Sequence, residues 1–154
     1  KSKSNNLFQR WEFADLLNAN VDLVLQGHEH AYARMTQFED GKRVPPVYTV
    51  SHCSPKFYRI HFDERFDRYG TGRQIYQHIA VHGDTLSMNA YDARTGKLYD
   101  RVDVVKGFHD NPTIIDRAKG IPEILDFTPQ PGNKKDAAFA ERIREYKAQK
   151  GLKP

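Results

Sequence analysis

Cysteine occurs once among the 154 residues, at Cys53, so neither an internal disulfide framework nor a four-cysteine zinc cage can be built within this chain. Long apolar runs are equally scarce. Nothing approaches the roughly 18 consecutive apolar residues of a bilayer-spanning helix, and Lys1 opens a polar segment with no apolar signal core behind it. No membrane span is expected. Blocks of like charge are missing too: the net charge of +4 is carried by the ends, because residues 5–106 hold thirteen bases against thirteen acids. A neutral body without a basic stripe argues against binding along a phosphate backbone, and no nucleic-acid partner is expected. An initiating Met is also lacking, which reads as a piece of a longer protein.

The low hydrophobic content, 38%, does not imply disorder, since aromatics reach 12% and supply bulky core material for one domain. Asn5 or Asn6 can cap a helix in which Leu7, Phe8, Trp11, Ala14, Leu16 and Leu17 follow a period near 3.6 and which ends at Asn18 to Asn20. Val21 to Gln26 is almost continuously apolar, the pattern of a strand covered on both faces. Asp40-Gly41 predicts a hairpin between strands near Tyr32–Phe38 and Val47–Val50, with Pro45 and Pro46 holding the second strand's start at an edge or outside the ladder. Phe57 to Phe62 alternates as a further strand, and Asp63 to Gly72 reads as a charged loop.

A meander follows, with strands at Gln74–Val81, Leu86–Tyr91 and Leu98–Val105 turning at Gly83-Asp84 and Thr95-Gly96. After Gly107 the strand pattern stops in a polar stretch broken by Pro112, Pro122, Pro129 and Pro131. Phe139, Ile143 and Tyr146 then mark an amphipathic helix over Asp136–Lys150.

Of seven histidines, His28 and His30 alone sit together, behind Gly27 at the end of the apolar strand. Neutral imidazole ligates zinc, iron or manganese, and a chain turning just after a sheet can aim both side chains into one cleft. Gly27 would permit a backbone approach that a Cβ blocks. Two histidines alone do not make a metal site, because such sites use three or four ligands.

The run Val21 to Arg34, with its apolar strand, its G-H-x-H core (Gly27-His28-Glu29-His30) and the following Tyr32 and Arg34, resembles the last motif of the calcineurin-like metallophosphoesterases, most closely their purple-acid-phosphatase-like branch. A softer likeness runs through Val47–Ser51, Ser54–Tyr58 and the meander to Val105. The resemblance implies an α/β fold: the C-terminal half of a metallophosphoesterase sandwich, mainly antiparallel, with an N-terminal helix and a C-terminal helical tail. Residues 1–106 would be the C-terminal portion of that domain, and residues 107–154 a proline-containing tail ending in the amphipathic helix.

It further implies hydrolysis of phosphate mono- or diesters at a site of two metal ions (zinc, iron or manganese), with His28 and His30 as ligands of one ion each. Tyr32 and Arg34 are expected to pack and pair strands. No D-x-H or G-N-H occurs, and Gly83-Asp84 is a hairpin turn and not the family's G-D motif. The remaining ligands would lie upstream of Lys1, so the isolated chain is expected to be inactive. It is also expected to pair with its own N-terminal half or with a second copy. The resemblance suggests an extracytoplasmic home, periplasmic or secreted.

Ser51 to Ser54 would border the mouth of that cleft, where His52 could reach a phosphate. A Cys53 nucleophile with His52 as base is disfavoured, since strand neighbours point to opposite faces. Phe57, Tyr58, Phe62, Phe66, Tyr69 and Tyr76 interleave with Arg59, Arg65, Arg68 and Arg73, but nearby acids cancel the field and core plus solvated edge is the better reading. The competing functional class is a non-catalytic binding or scaffolding module that keeps the fold.

Overall fold

The computed structural model describes residues 3–107 and 112–152, with side chains in the first helix from residue 12 onward. Helix α1 (Lys3–Asn20) ends where Asn20 folds its side-chain amide back onto the Leu16 carbonyl at 2.7 Å. Asn18 ties that end to the first sheet by accepting from Gln37 and from the Tyr48 hydroxyl.

The first sheet has the order β1-β3-β2-β4, from β1 (Leu23–Gln26), β2 (Tyr32–Glu39), β3 (Lys42–Val50) and β4 (Phe66–Gly70). Only β1 and β3 run parallel. The β2–β3 turn falls on Asp40 and Gly41, both at positive φ, as an Asp-Gly hairpin requires. The second sheet, β5-β6-β7-β8, is wholly antiparallel: β5 (Ile75–His82), β6 (Thr85–Asp92), β7 (Leu98–Val105) and β8 (Thr113–Asp116). Helix α2 (Lys134–Gln149) closes the chain, its first amides capped by the Asn133 side chain. The architecture is thus the expected α/β one, two mainly antiparallel sheets flanked by an N-terminal and a C-terminal helix.

Alternation drives the sheets together. Met88 and Ala90 point inward from β6 and meet Val47 of β3, Val102 and Val104 of β7, and Tyr32 of β2. Helix α2 lays Phe139, Ile143 and Tyr146 against Tyr69 of β4 and against Phe62. Between the sheets lies a buried charge cluster. The Arg34 guanidinium, 1% exposed, donates to Asp100 and Asp116 at 2.8 Å each and to Asp67 at 3.3 Å. The Tyr32 hydroxyl also donates to Asp100, so the two residues that follow the histidine motif clamp β2 to the second sheet.

Several expectations need correction. Phe57–Phe62 is not a strand: Tyr58, Ile60 and Phe62 turn inward while Phe57, Arg59 and His61 face out, but no ladder partner lies alongside. Asp63–Gly72 is not all loop, since β4 pairs with β2 and buries its charged residues on partners: Asp67 takes Arg34 and Arg43, and Arg68 donates to the carbonyls of Ile121 and Pro122.

Pro45 and Pro46 lie inside the central strand β3 and not at an edge, though outside its ladder, the other placement expected for them. A bulge sets Pro45, Pro46 and Val47 opposite Thr36 alone, and the ladder to β1 begins only at Val47, so neither missing N–H breaks a rung. Strand β1 is itself an edge strand of the described sheet, with Leu25 54% exposed. Beyond Gly107, β8 pairs with β7 where no further strand was expected. His109 lies outside the described residues.

Candidate metal site

Because β1 and β3 are parallel, the segments that leave their carboxyl ends emerge at the same border of the sheet. β2, antiparallel to β3, begins there as well. Gly27–His30 and Ser51–Ser54 therefore lie side by side at that border. Ser51 joins them by donating its amide to the Gln26 carbonyl and its hydroxyl to that of Ile75.

The turn that presents the histidines is tight. The Glu29 amide bonds back to the Gly27 carbonyl at 3.0 Å, and the central residue His28 has a φ of 74°, which together describe a γ-turn of the rare, strained hand. A positive φ at a residue with a Cβ costs about 1–2 kcal/mol. Gly27 is not the residue that enables it, contrary to expectation: a Cβ there would meet nothing, and the left-handed conformation is taken one residue later.

The two imidazoles differ in setting. His28 stands in solvent, its side chain 91% exposed and its Nδ1 3.5 Å from the Glu29 carboxylate. His30 is half-buried and held on several sides. Its Nδ1 lies 2.9 Å from the Lys56 carbonyl, its own carbonyl accepts the Tyr58 amide, and its ring lies nearly parallel to that of Tyr58 at 4.4 Å. A carbonyl can only accept, so Nδ1 carries a proton, and in the neutral ring Nε2 then holds the lone pair. That is the tautomer a metal-ligating histidine adopts when its second nitrogen is anchored on a carbonyl.

His52 lies beside them, its ring 5.5 Å from that of His30 and within 11° of parallel, with Phe57 edge-on at 5.5 Å. Both its ring nitrogens are buried and have no partner among the described residues. Burial, and then the neighbouring His30, lower its pKa and favour the neutral ring. Buried polar atoms are ordinarily hydrogen-bonded, and these two nitrogens depart from that rule.

The exposed Cys53 offers its carbonyl to Gln74, and its thiol makes no hydrogen bond to either nitrogen of His52. The interleaved arginines are engaged elsewhere: Arg59 with Asp136, Arg65 with Asp63, Arg73 with Asp126. The 51–62 segment, read from the sequence as ending in a strand, is what cradles His30. No residue-type pattern announces this, because the decisive acceptor is the backbone carbonyl of Lys56. Among the described residues no three His, Cys, Asp or Glu side chains converge as a metal cage. Comparison with protein-family models, with curated proteins and with solved structures finds no match for this chain.

Proposed function

We propose that this chain supplies His28 and His30 as ligands to a dinuclear metal centre that hydrolyses phosphate mono- or diesters, the other ligands coming from polypeptide outside it. The observation that carries the proposal is the local build of the G-H-x-H turn. It leaves one imidazole free in solvent and the other anchored through Nδ1 with Nε2 available. The chemistry of the donors fits zinc, iron or manganese. Such ions, when bound, supply Lewis-acid charge that activates water and offsets the charge developing on the phosphoryl oxygens.

The chain's own residues then have distinct tasks. His30 is a preset ligand, fixed before any ion arrives. His28, on the strained turn, is the adjustable one. His52, whose ring lies beside that of His30, is the proposed contact for a phosphate oxygen. Alone the chain offers too few ligands to enforce a two-ion geometry, and we assign it no independent hydrolytic activity.

The missing ligands fit a partner at β1, either a segment N-terminal to this chain or a second copy. The outer edge of β1 pairs with nothing among the described residues, and Leu25 is exposed there. The resemblance also favours an extracytoplasmic site of action, and no helix among the described residues is long and apolar enough to cross a membrane.

The test is a zinc titration of the chain and of its His28→Ala and His30→Ala variants. Binding that weakens in both variants supports the assignment, and binding indifferent to both overturns it. A non-catalytic binding module is the second reading, favoured by the core that the two sheets close between them. It predicts that the protein joined to its partner segment carries no metal after chelator-free purification and leaves p-nitrophenyl phosphate intact.

A further inference from the structure

We infer that Tyr58 is a positioning residue for His30: it holds the imidazole in one plane so that Nδ1 stays on the Lys56 carbonyl and Nε2 alone is presented outward. The inference deepens the metal-site reading and rests on it for its purpose, though not for its geometry. Three contacts from one short segment converge on His30. The Lys56 carbonyl takes the Nδ1 proton at 2.9 Å, the Tyr58 amide donates to the His30 carbonyl at 3.2 Å, and the Tyr58 ring covers the imidazole at 4.4 Å with 17° between planes. The Lys56 ammonium lies 5.1 Å from the centre of the Tyr58 ring and tethers that ring in turn.

The stack matters because a single hydrogen bond does not fix a ring. An imidazole turning about its Cβ–Cγ bond must pass through orientations perpendicular to its resting plane, and those collide with an aromatic face at stacking distance. Without that face only the His52 ring, at 5.5 Å, stands beside the imidazole, which can then leave the Lys56 carbonyl, and the hydrogen bond alone selects the tautomer weakly. The amide bond from Tyr58 keeps the backbones of residues 30 and 58 in register, so the cover and the covered ring move together. Groups that orient a ligating histidine in this way typically govern metal affinity by 10–100-fold.

The experiment combines two readouts on the full chain: long-range proton–nitrogen NMR of the His30 ring without metal, and the dissociation constant for zinc. Wild type should show one tautomer, protonated at Nδ1. Tyr58→Leu, which keeps apolar bulk but removes the ring, should show mixed tautomers and about tenfold weaker zinc binding. Tyr58→Phe, which keeps the stack, should restore both. A wild-type ring protonated at Nε2 overturns the inference, whether or not the leucine variant folds. So does a Tyr58→Leu variant that retains the single Nδ1–H tautomer and wild-type affinity. If wild type binds no zinc while Tyr58→Leu still releases the tautomer, the metal reading fails and the positioning role stands.

Discussion

Replacing Arg34 by Met removes the one cation shared by three carboxylates while leaving an unbranched side chain of comparable reach. Arg34 is 1% exposed and Asp100 is fully buried, with one carboxylate oxygen accepting from both Arg34 and Tyr32 and the other without a partner among the described residues. In the variant Asp100 keeps only the tyrosine hydroxyl, and Asp116 loses its arginine. Deleting one member of a buried pair strands the other charge, at a cost of about 3–5 kcal/mol. For a chain of this size that corresponds to a fall in melting temperature of roughly 6–20 °C.

Urea unfolding followed by circular dichroism reads the loss directly. Pairing Arg34→Met with Asp100→Leu should recover part of it, since an apolar replacement of the whole pair removes the stranded charge. A loss below about 1 kcal/mol, the scale of an exposed ion pair, would refute the claim that this cluster is a desolvated clamp between the sheets. The clamp bears on the site because β2, which carries Tyr32 and Arg34, starts two residues after His30.

The same cluster sets an acid limit. Burial pushes the Asp116 carboxyl up, but the charge and hydrogen bond of Arg34 outweigh it and hold its pKa below the ordinary range; Asp103 is likewise buried yet held low by Ser87 and Arg117. Carboxylates with depressed folded values contribute stability above their unfolded pKa, about 3.9, and lose it as pH falls through the folded values. The contribution of these two groups to melting temperature should therefore be level from pH 7 to 5 and decline below about pH 4, with a shallower decline in Asp116→Asn; an unchanged acid limb would contradict the assignment. At the open edge, light scattering should find the chain larger than a monomer, and Leu25→Lys, which places a charge on the edge strand, should shift it toward monomer. A wild-type chain that is monomeric at all concentrations would dismiss the edge as a pairing surface.

Periodicity made much of the fold legible. Apolar spacing in the first and last helices, alternation in β5 to β7 and the Asp-Gly turn each state their structure locally, and the strands Leu98–Val105 and Thr85–Asp92 fall where alternation puts them. What was illegible depends on partners far away in sequence. Asp67 and Arg68 look like solvated loop residues until Arg34, Arg43 and the Ile121 and Pro122 carbonyls are brought to them. Phe57 to Phe62 shows the converse, for alternation specifies which side chains turn inward but not whether a neighbouring strand exists. Pro45 and Pro46 are tolerated in a central strand because a bulge in that strand takes them out of the ladder. At the candidate site, residue types in sequence identify His28, His30 and His52, whereas the anchoring carbonyl and the strain at His28 are backbone properties that no residue name carries.

The most direct test of the account is calorimetric titration of zinc into the chelator-stripped chain, with His28→Ala, His30→Ala and the double variant in parallel. The account predicts weak zinc binding in wild type, weaker in each single variant and absent in the double variant, because each imidazole serves one of the two ions. Zinc binding that survives loss of both histidines, or a wild-type chain that takes up none, would contradict it.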